Sequence, residues 1–424
     1  MKLRKPPYCI LGSAMNMNVR RVRPLFFFTI LILILYVLNT IRRLNEYNGF
    51  IIKRPNSFQT VEYLAGRSTR KKVKVINFWT GFHHNSFEYL NRVNGHLREC
   101  SSRCYATNNT KLLMDSDAVL FHLSGIWIPN GEIGTKRTIP FPNVSNPNQV
   151  WIIHNSDPPF CLFGDVNIFG KIFNWTMSYR SDATIFNPYG RSVKLDVVKS
   201  NNVRKGHDKR NIYSEKVKFL VGTLSDSIDP GEQYILIDEM SKYIDIEMLG
   251  KCYSNRVCGT VWGDFNKDCD QKIKKYRFYL AFESKECKDY ITEHYWRALD
   301  RKQIPVVNWK RMDILSGYVP NSYINVYDFS SVKDFADYVT LVNRNETLYN
   351  SYFEWRKNFT IDLTGRRAWC DLCEKLHSMD KDYESQTVDF KKYIDSDVCP
   401  AAMTKFLYTE LKGRSHFLVR RVEG

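Results

Sequence analysis

Residues 278–309 limit the possible folds more than any other stretch of the chain. Phe278–Phe282 (FYLAF) is a short apolar run and Ile304–Trp309 (IPVVNW) is another, while Asp289–Leu299 between them repeats apolar residues at helical spacing. Strand, helix and strand in this order form a crossover, so the two strands run parallel. A parallel sheet must be covered on both faces, which makes the body α/β. Val217–Gly222 and Ile244–Leu249 read as two more strands around a helix at Gly231–Tyr243. Earlier runs at Val73–Trp79, Ala118–Leu123, Val150–His154 and Ala183–Phe186 supply a separate set. Between the sets, Gly190–Lys216 turns polar and basic, as a linker would. The expected units are therefore 73–200 and 215–360, followed by a C-terminal segment, 361–424. A ligand belongs in the cleft between two such units, at the carboxyl ends of their strands.

Leu25–Ile41 (LFFFTILILILYVLNTI) contains no charged residue and has the minimum length for a spanning helix. Lys2, Arg4, Lys5, Arg20, Arg21 and Arg23 precede it, against only Arg42 and Arg43 close behind. The positive-inside bias keeps residues 1–24 cytosolic and sends 42–424 into the lumen, with 42–72 as a basic stem. A cleaved signal peptide is the competing reading, but no small-residue cleavage site follows the run. Sequons at Asn108, Asn143, Asn174, Asn345 and Asn358 all lie beyond this anchor. So do Cys100, Cys104, Cys161, Cys252, Cys258, Cys269, Cys287, Cys370, Cys373 and Cys399, an even set that can pair as disulfides. Cys370-Asp-Leu-Cys373 also permits zinc or redox readings, yet no matching second pair supports them; a structural disulfide holding the C-terminal segment is expected. The net charge of +17 suits nucleic acid, an anionic membrane or a phosphate-bearing substrate. Scattered basic residues and a luminal body exclude the first.

The crossover carries the chemistry. Glu283 stands at the carboxyl end of its strand, and the next helix begins near Asp289 or Thr292, aiming free backbone N–H groups at the same cleft. Glu293 and Arg297 lie four apart on one helical face, and a protonated His294 can donate to phosphate. An N-capped helix with a surface ion pair fits the same letters.

These residues are similar to those of a known family. FYLAFES, DYITEHYWRAL and IPVVNW, together with FNWTMSYRSDATIFNPYG at 173–190, resemble the two signatures of the animal α1,3/4-fucosyltransferases. Ser322-Tyr-Ile, Tyr352-Phe-Glu-Trp-Arg356 and Trp369-Cys-Asp-Leu-Cys373 are smaller matches in the same order. The resemblance implies a GT-B fold of two Rossmann-like domains facing a cleft, type II Golgi placement, and inverting transfer of fucose from GDP-fucose to a glycan. By position, Arg180 is implied to contact the diphosphate and Glu293 to stabilise the fucosyl centre. Glu283 and Tyr290 would shape the donor pocket, with Arg297 supporting Glu293.

Several positions depart from the family pattern. The usual Glu-Ser-Pro reads Asn155-Ser-Asp-Pro158, which puts Ser156 at the Glu position and leaves Asp157 as the nearby carboxylate for a base. His294 replaces a lysine, Ser284 an asparagine, and Ser225-Asp226 a Ser-Asn pair. Asp-x-Asp triplets occur at 115–117, 268–270, 380–382 and 395–397, but four are unsurprising by chance and Asp115-Ser-Asp117 precedes its strand. GT-B enzymes use side-chain cations in place of a metal, so the resemblance implies no obligatory metal, and Mn²⁺ or Mg²⁺ would at most stimulate. The sequence also allows a protein O-fucosyltransferase, another GDP-sugar transferase, a non-catalytic glycan-binding relative, and a homodimer.

Overall fold

A computed structural model describes residues 73–81, 86–123, 141–158, 169–195, 211–223, 231–249, 267–283, 285, 287–310, 312–379 and 386–396. Among these no helix is long and apolar enough to cross a membrane, and the expected anchor at Leu25–Ile41 and stem at 42–72 lie outside them.

The first sheet is built from β1 (Lys74–Phe78), β2 (Cys104–Thr107), β3 (Ala118–His122), β4 (Val150–Asn155), β5 (Trp175–Ser178) and β6 (Ile185–Phe186). Its order is β2-β1-β3-β4-β5-β6 and every pairing is parallel. Strands β3 and β4 are buried along their whole length, because alternate residues enter different cores. Leu120 and Ile152 pack with Val93 and Leu97 of helix α1 (Ser86–Arg98). Phe121 and Ile153 pack on the opposite face with Phe169 and Phe173.

β7 (Arg191–Lys194) leads away from this sheet into the second one. That sheet comprises β8 (Lys218–Thr223), β9 (Ile246–Leu249), β10 (Tyr276–Leu280), β11 (Ile304–Val307) and β12 (Ile324–Asn325), again all parallel, in the order β12-β11-β10-β8-β9. α2 (Gly231–Met240) and α5 (Val332–Arg344) cover one face through Leu236, Phe335 and Val339. α3 (Lys267–Ile273) and α4 (Glu293–Asp300) cover the other through Ile273, Tyr295 and Leu299. Helix α4 starts at Glu293, not Asp289, because Asp289 adopts a left-handed φ of 56° and Thr292 is the N-cap.

After α6 (Glu346–Ser351) the chain returns. β13 (Phe359–Asp362) pairs antiparallel with β7, pairing Phe359 with Lys194 and Asp362 with Arg191. Helix α7 (Arg366–Ser378) then packs on the first sheet through Ala368, Trp369, Leu372 and Leu376, and α8 (Phe390–Asp395) packs on its other face. Cys370 and Cys373 do hold this segment, but not to one another: the bonds are Cys100–Cys370 and Cys104–Cys373. Cys269 and Cys287 are also disulfide-bonded. Cys161, Cys252, Cys258 and Cys399 lie outside the described residues.

Candidate functional site

In each sheet the chain leaves one strand in both directions, and a crevice opens at the carboxyl ends where this happens. In the first sheet the point lies between β1 and β3, in the second between β8 and β10. An open pocket of about 200 Å³ lies at the carboxyl ends of β1 and β2, lined by Phe78, Trp79, Thr80, Gly81, Tyr89, Leu90 and Asn108. Its rings and polar edge suit a sugar face. Thr80 Oγ1 donates to the His122 carbonyl and accepts from the His122 N–H at 2.6 Å, fixing the loop after β1 beside β3.

At the second crevice Thr223 ends β8 and its hydroxyl bonds that of Tyr279 in β10. The Tyr279 hydroxyl in turn meets His294 Nδ1 at 2.9 Å, and the imidazole stacks on the tyrosine ring with centroids 6.1 Å apart. Burial lowers the His294 pKa, Arg301 and Arg297 push it the same way, and Glu293 opposes them. The protonated phosphate donor expected from the sequence is therefore disfavoured.

Glu283 lies just beyond β10 with 5% of its surface exposed. Its Oε1 accepts the Thr292 N–H at 2.7 Å, so its side chain occupies the N-terminal end of α4. Asn308 holds its backbone from both sides, accepting the Glu283 N–H at 2.9 Å and donating to the Glu283 carbonyl at 3.0 Å. Burial pushes the carboxyl pKa up to about 8, against the Thr292 hydrogen bonds, so it is mostly protonated at neutral pH.

The two units meet at three tyrosines. Tyr179 follows β5, Tyr189 precedes β7 and Tyr290 precedes α4. Their rings pack edge-on, Tyr179 to Tyr290 at 5.1 Å and Tyr189 to Tyr290 at 6.1 Å. The Tyr189 hydroxyl donates to the Ser156 carbonyl at 2.6 Å. Its pKa is raised well above the usual value by burial, then by Tyr290, Glu293, Asp157 and Tyr179. Asp157 and Glu293, borne by different sheets and 136 positions apart in the chain, thus both act on one hydroxyl. Asp157 is set by an Asx turn: its N–H donates to Asn155 Oδ1 at 3.0 Å and its carbonyl accepts from Asn155 Nδ2 at 2.7 Å. Burial raises its carboxyl pKa.

Arg180, implied by the resemblance to contact the diphosphate, is engaged with protein groups. It is 3% exposed and its guanidinium is bound within the protein. Nε and one terminal nitrogen fork onto Asp182 at 2.9 and 2.6 Å, the other donates to the Tyr393 carbonyl, and the plane lies 4.1 Å from the Tyr393 ring. A diphosphate would have to displace Asp182, whose carboxyl these bonds and Lys288 hold at about 2 despite partial burial. Arg297 lies within electrostatic reach of Glu293, as helical spacing requires. Ser225 and Asp226 lie outside the described residues.

Asn108, Asn143, Asn345 and Asn358 are exposed. Asn174, unlike the other four, is buried: it is 3% exposed, and its Oδ1 accepts the Trp151 N–H at 2.8 Å. Cys104, Cys373 and His377 come within metal-ligand reach of one another, but the two sulfurs are joined and offer no thiolate. Sequence reasoning missed the partners of Thr223, Tyr279 and Asp289 and the pocket at Trp79: Tyr279 and Asp289 fall inside the quoted motifs, but the motifs do not show what they touch.

The fucosyltransferase N-terminal domain matches residues 71–190, and the glycosyltransferase family 10 (fucosyltransferase) C-terminal domain matches 213–392. Alpha-(1,3)-fucosyltransferase fut-6 of Caenorhabditis elegans is 31% identical over 66% of this chain and 69% of its own. Its relative fut-5, from the same organism, is 29% identical over 78% and 84%. A crystal structure of an α1,3-fucosyltransferase aligns with a TM-score of 0.44 at 14% identity, over 76% of this chain and 94% of that one. Two domain matches in order and these relatives establish that the chain belongs to glycosyltransferase family 10 and is a fucosyltransferase.

Proposed function

We propose that the protein transfers L-fucose from GDP-β-L-fucose to N-acetylglucosamine of N-glycans or lactosamine-type glycans, in α1,3 linkage and with inversion. The two parallel sheets are read as a GT-B pair, with the acceptor at the aromatic pocket of the first and the donor at the β8/β10 crevice of the second. The linkage follows the names of the relatives, both alpha-(1,3)-fucosyltransferases. The catalytic body is placed in the Golgi lumen behind the single anchor at 25–41.

In the reaction the acceptor hydroxyl oxygen attacks the fucosyl anomeric carbon from the face opposite the diphosphate. The bond from that carbon to the diphosphate oxygen breaks, its electron pair leaving with GDP, and the hydroxyl proton passes to Asp157. Glu293 faces the positive charge that develops on the sugar ring. The amino end of α4 faces the negative charge that develops on the leaving group. One observation supports this reading: Asp157 and Glu293, from opposite units, both lie within electrostatic reach of Tyr189.

The test is fucose incorporation by the luminal part, residues 42–424, from labelled GDP-fucose into N-acetyllactosamine and N-glycan acceptors. Asp157→Asn should cut turnover by roughly 10²–10⁴-fold with GDP affinity kept. Undiminished turnover in that variant removes Asp157 as the base. A folded protein that transfers nothing to any acceptor removes the reaction.

A further inference from the structure

The loop before α4 touches the first unit through one buried carboxylate that the reaction does not use. Asp289 is 6% exposed. Its Oδ2 accepts both the N–H of Ser181 at 2.9 Å and the Ser181 hydroxyl at 2.6 Å. Its Oδ1 accepts the hydroxyl of Ser316 at 2.7 Å. Three donors thus converge on one carboxylate, two from the first unit and one from a second loop of the donor-side unit. The residue takes a left-handed φ of 56°, a conformation that asparagine and aspartate tolerate better than other L residues.

Position makes this contact consequential. Ser181 lies two residues after Tyr179, and Asp289 one before Tyr290, the two rings that pack at 5.1 Å across the joint. Four residues beyond Asp289 stands Glu293. The neighbouring Lys288–Asp182 pair at 3.0 Å spans the same joint, but it is exposed on both sides and adds little. We propose that Asp289 is a positioning residue: by clamping Ser181 it sets the separation of Asp157 and Glu293, and so the alignment of acceptor hydroxyl against anomeric carbon. It touches neither substrate and acts through the tyrosine joint. The inference rests on the proposed transfer reaction for its kinetic consequence, but its geometric consequence stands without it.

The test uses Asp289→Ala, Asp289→Asn and Lys288→Met in the luminal protein. Alanine removes all three hydrogen bonds. Asparagine keeps them in number, with the amide oxygen toward Ser181 and the amide nitrogen donating to the Ser316 hydroxyl oxygen, which turns to accept. Misalignment of about 1 Å at a reacting centre costs roughly 10²-fold. Asp289→Ala should therefore lower kcat about 10–100-fold with the GDP Kd within about twofold, because the hydrogen bonds it loses run to Ser181 and Ser316 and not to β8 or β10. Asp289→Asn should recover kcat to within about fivefold of wild type, and Lys288→Met should stay within about twofold. In parallel, hydrogen exchange at the Ser181 amide should accelerate at least tenfold in the alanine variant and stay slow in the asparagine one. Unchanged kcat in Asp289→Ala beside an active wild type overturns the proposal, as does a loss that only follows the folded fraction. An equally protected Ser181 amide in Asp289→Ala overturns it whether or not the wild type transfers fucose. An inactive wild type would instead count against the reaction itself.

Discussion

Glu283 ties stability to pH in a way that can be worked from its surroundings. Its carboxyl is buried and titrates at about 8, against 4.5 for an exposed glutamate. Below 4.5 both folded and unfolded chains carry the proton. As pH rises from there the unfolded chain loses it while the folded chain keeps it, so stability falls until the folded pKa is passed. Each tenfold difference in proton affinity is worth ~1.4 kcal/mol, so the full displacement corresponds to roughly 5 kcal/mol between pH 4.5 and 8. Glutamine preserves the acceptor for the Thr292 N–H, bonded at 2.7 Å, and has no proton to lose. Glu283→Gln should therefore be more stable than wild type by a few kcal/mol at pH 7.5 and nearly equal to it at pH 4.5. Denaturant melts of both proteins at pH 4.5, 6, 7.5 and 8.5 measure the difference. Parallel stability curves, with a constant gap across that range, would refute the reasoning.

Gly190 has no room for a methyl group: a Cβ there would lie 2.4 Å from Cγ and 2.8 Å from Cβ of the buried Trp296. Gly190→Ala should cost about 1–3 kcal/mol and lower the thermal midpoint by several degrees, and an unchanged midpoint would contradict this packing. The disulfides Cys100–Cys370 and Cys104–Cys373 close almost the same loop, with sequence separations of 270 and 269. On the chain-entropy account, replacing both cysteines of either pair with serine should cost ~2–3 kcal/mol, and losing the second pair a further ~5–6. Equal costs for the two steps in denaturant melts would contradict a shared loop. Asn174→Gln should leave gel mobility unchanged after secretory expression, because the buried side chain receives no glycan. A mobility shift reversed by a glycosidase would show that Asn174 is open during folding.

What the sequence discloses is the part fixed by local pattern. β3 and β4 read clearly because a strand buried on both faces is apolar at nearly every position. β2, β5 and β12 escaped, since CYAT, WTMS and a two-residue strand have no such run and are recruited by their neighbours. The beginning of α4 could be placed only within a few residues. Its boundary is set by Asp289, whose left-handed backbone is held by Ser181, 108 positions away, and no local propensity reports that. Asn174 shows the same limit: a sequon is visible as letters, but the Trp151 N–H that claims its oxygen is not. Arg180 lies in a signature that implies phosphate contact, yet Asp182 two residues on and the distant Tyr393 hold it.

These placements assign different work to three carboxyl groups around one cleft. An ionised Glu283 at the amino end of α4 would offset the partial positive charge that an anionic leaving group needs. Burial avoids this by keeping Glu283 protonated near neutral pH, so that it accepts from Thr292 without adding a full negative charge. Asp157 differs in its connections: its backbone is fixed by Asn155, and burial raises its proton affinity, as suits the base proposed above. Glu293, in the first turn of α4, follows the loop that Asp289 ties to Ser181, and both it and Asp157 lie within electrostatic reach of Tyr189. The replacement of the usual Glu-Ser-Pro by Asn155-Ser-Asp-Pro158 is thus consistent with catalysis, provided that the joint holds its spacing.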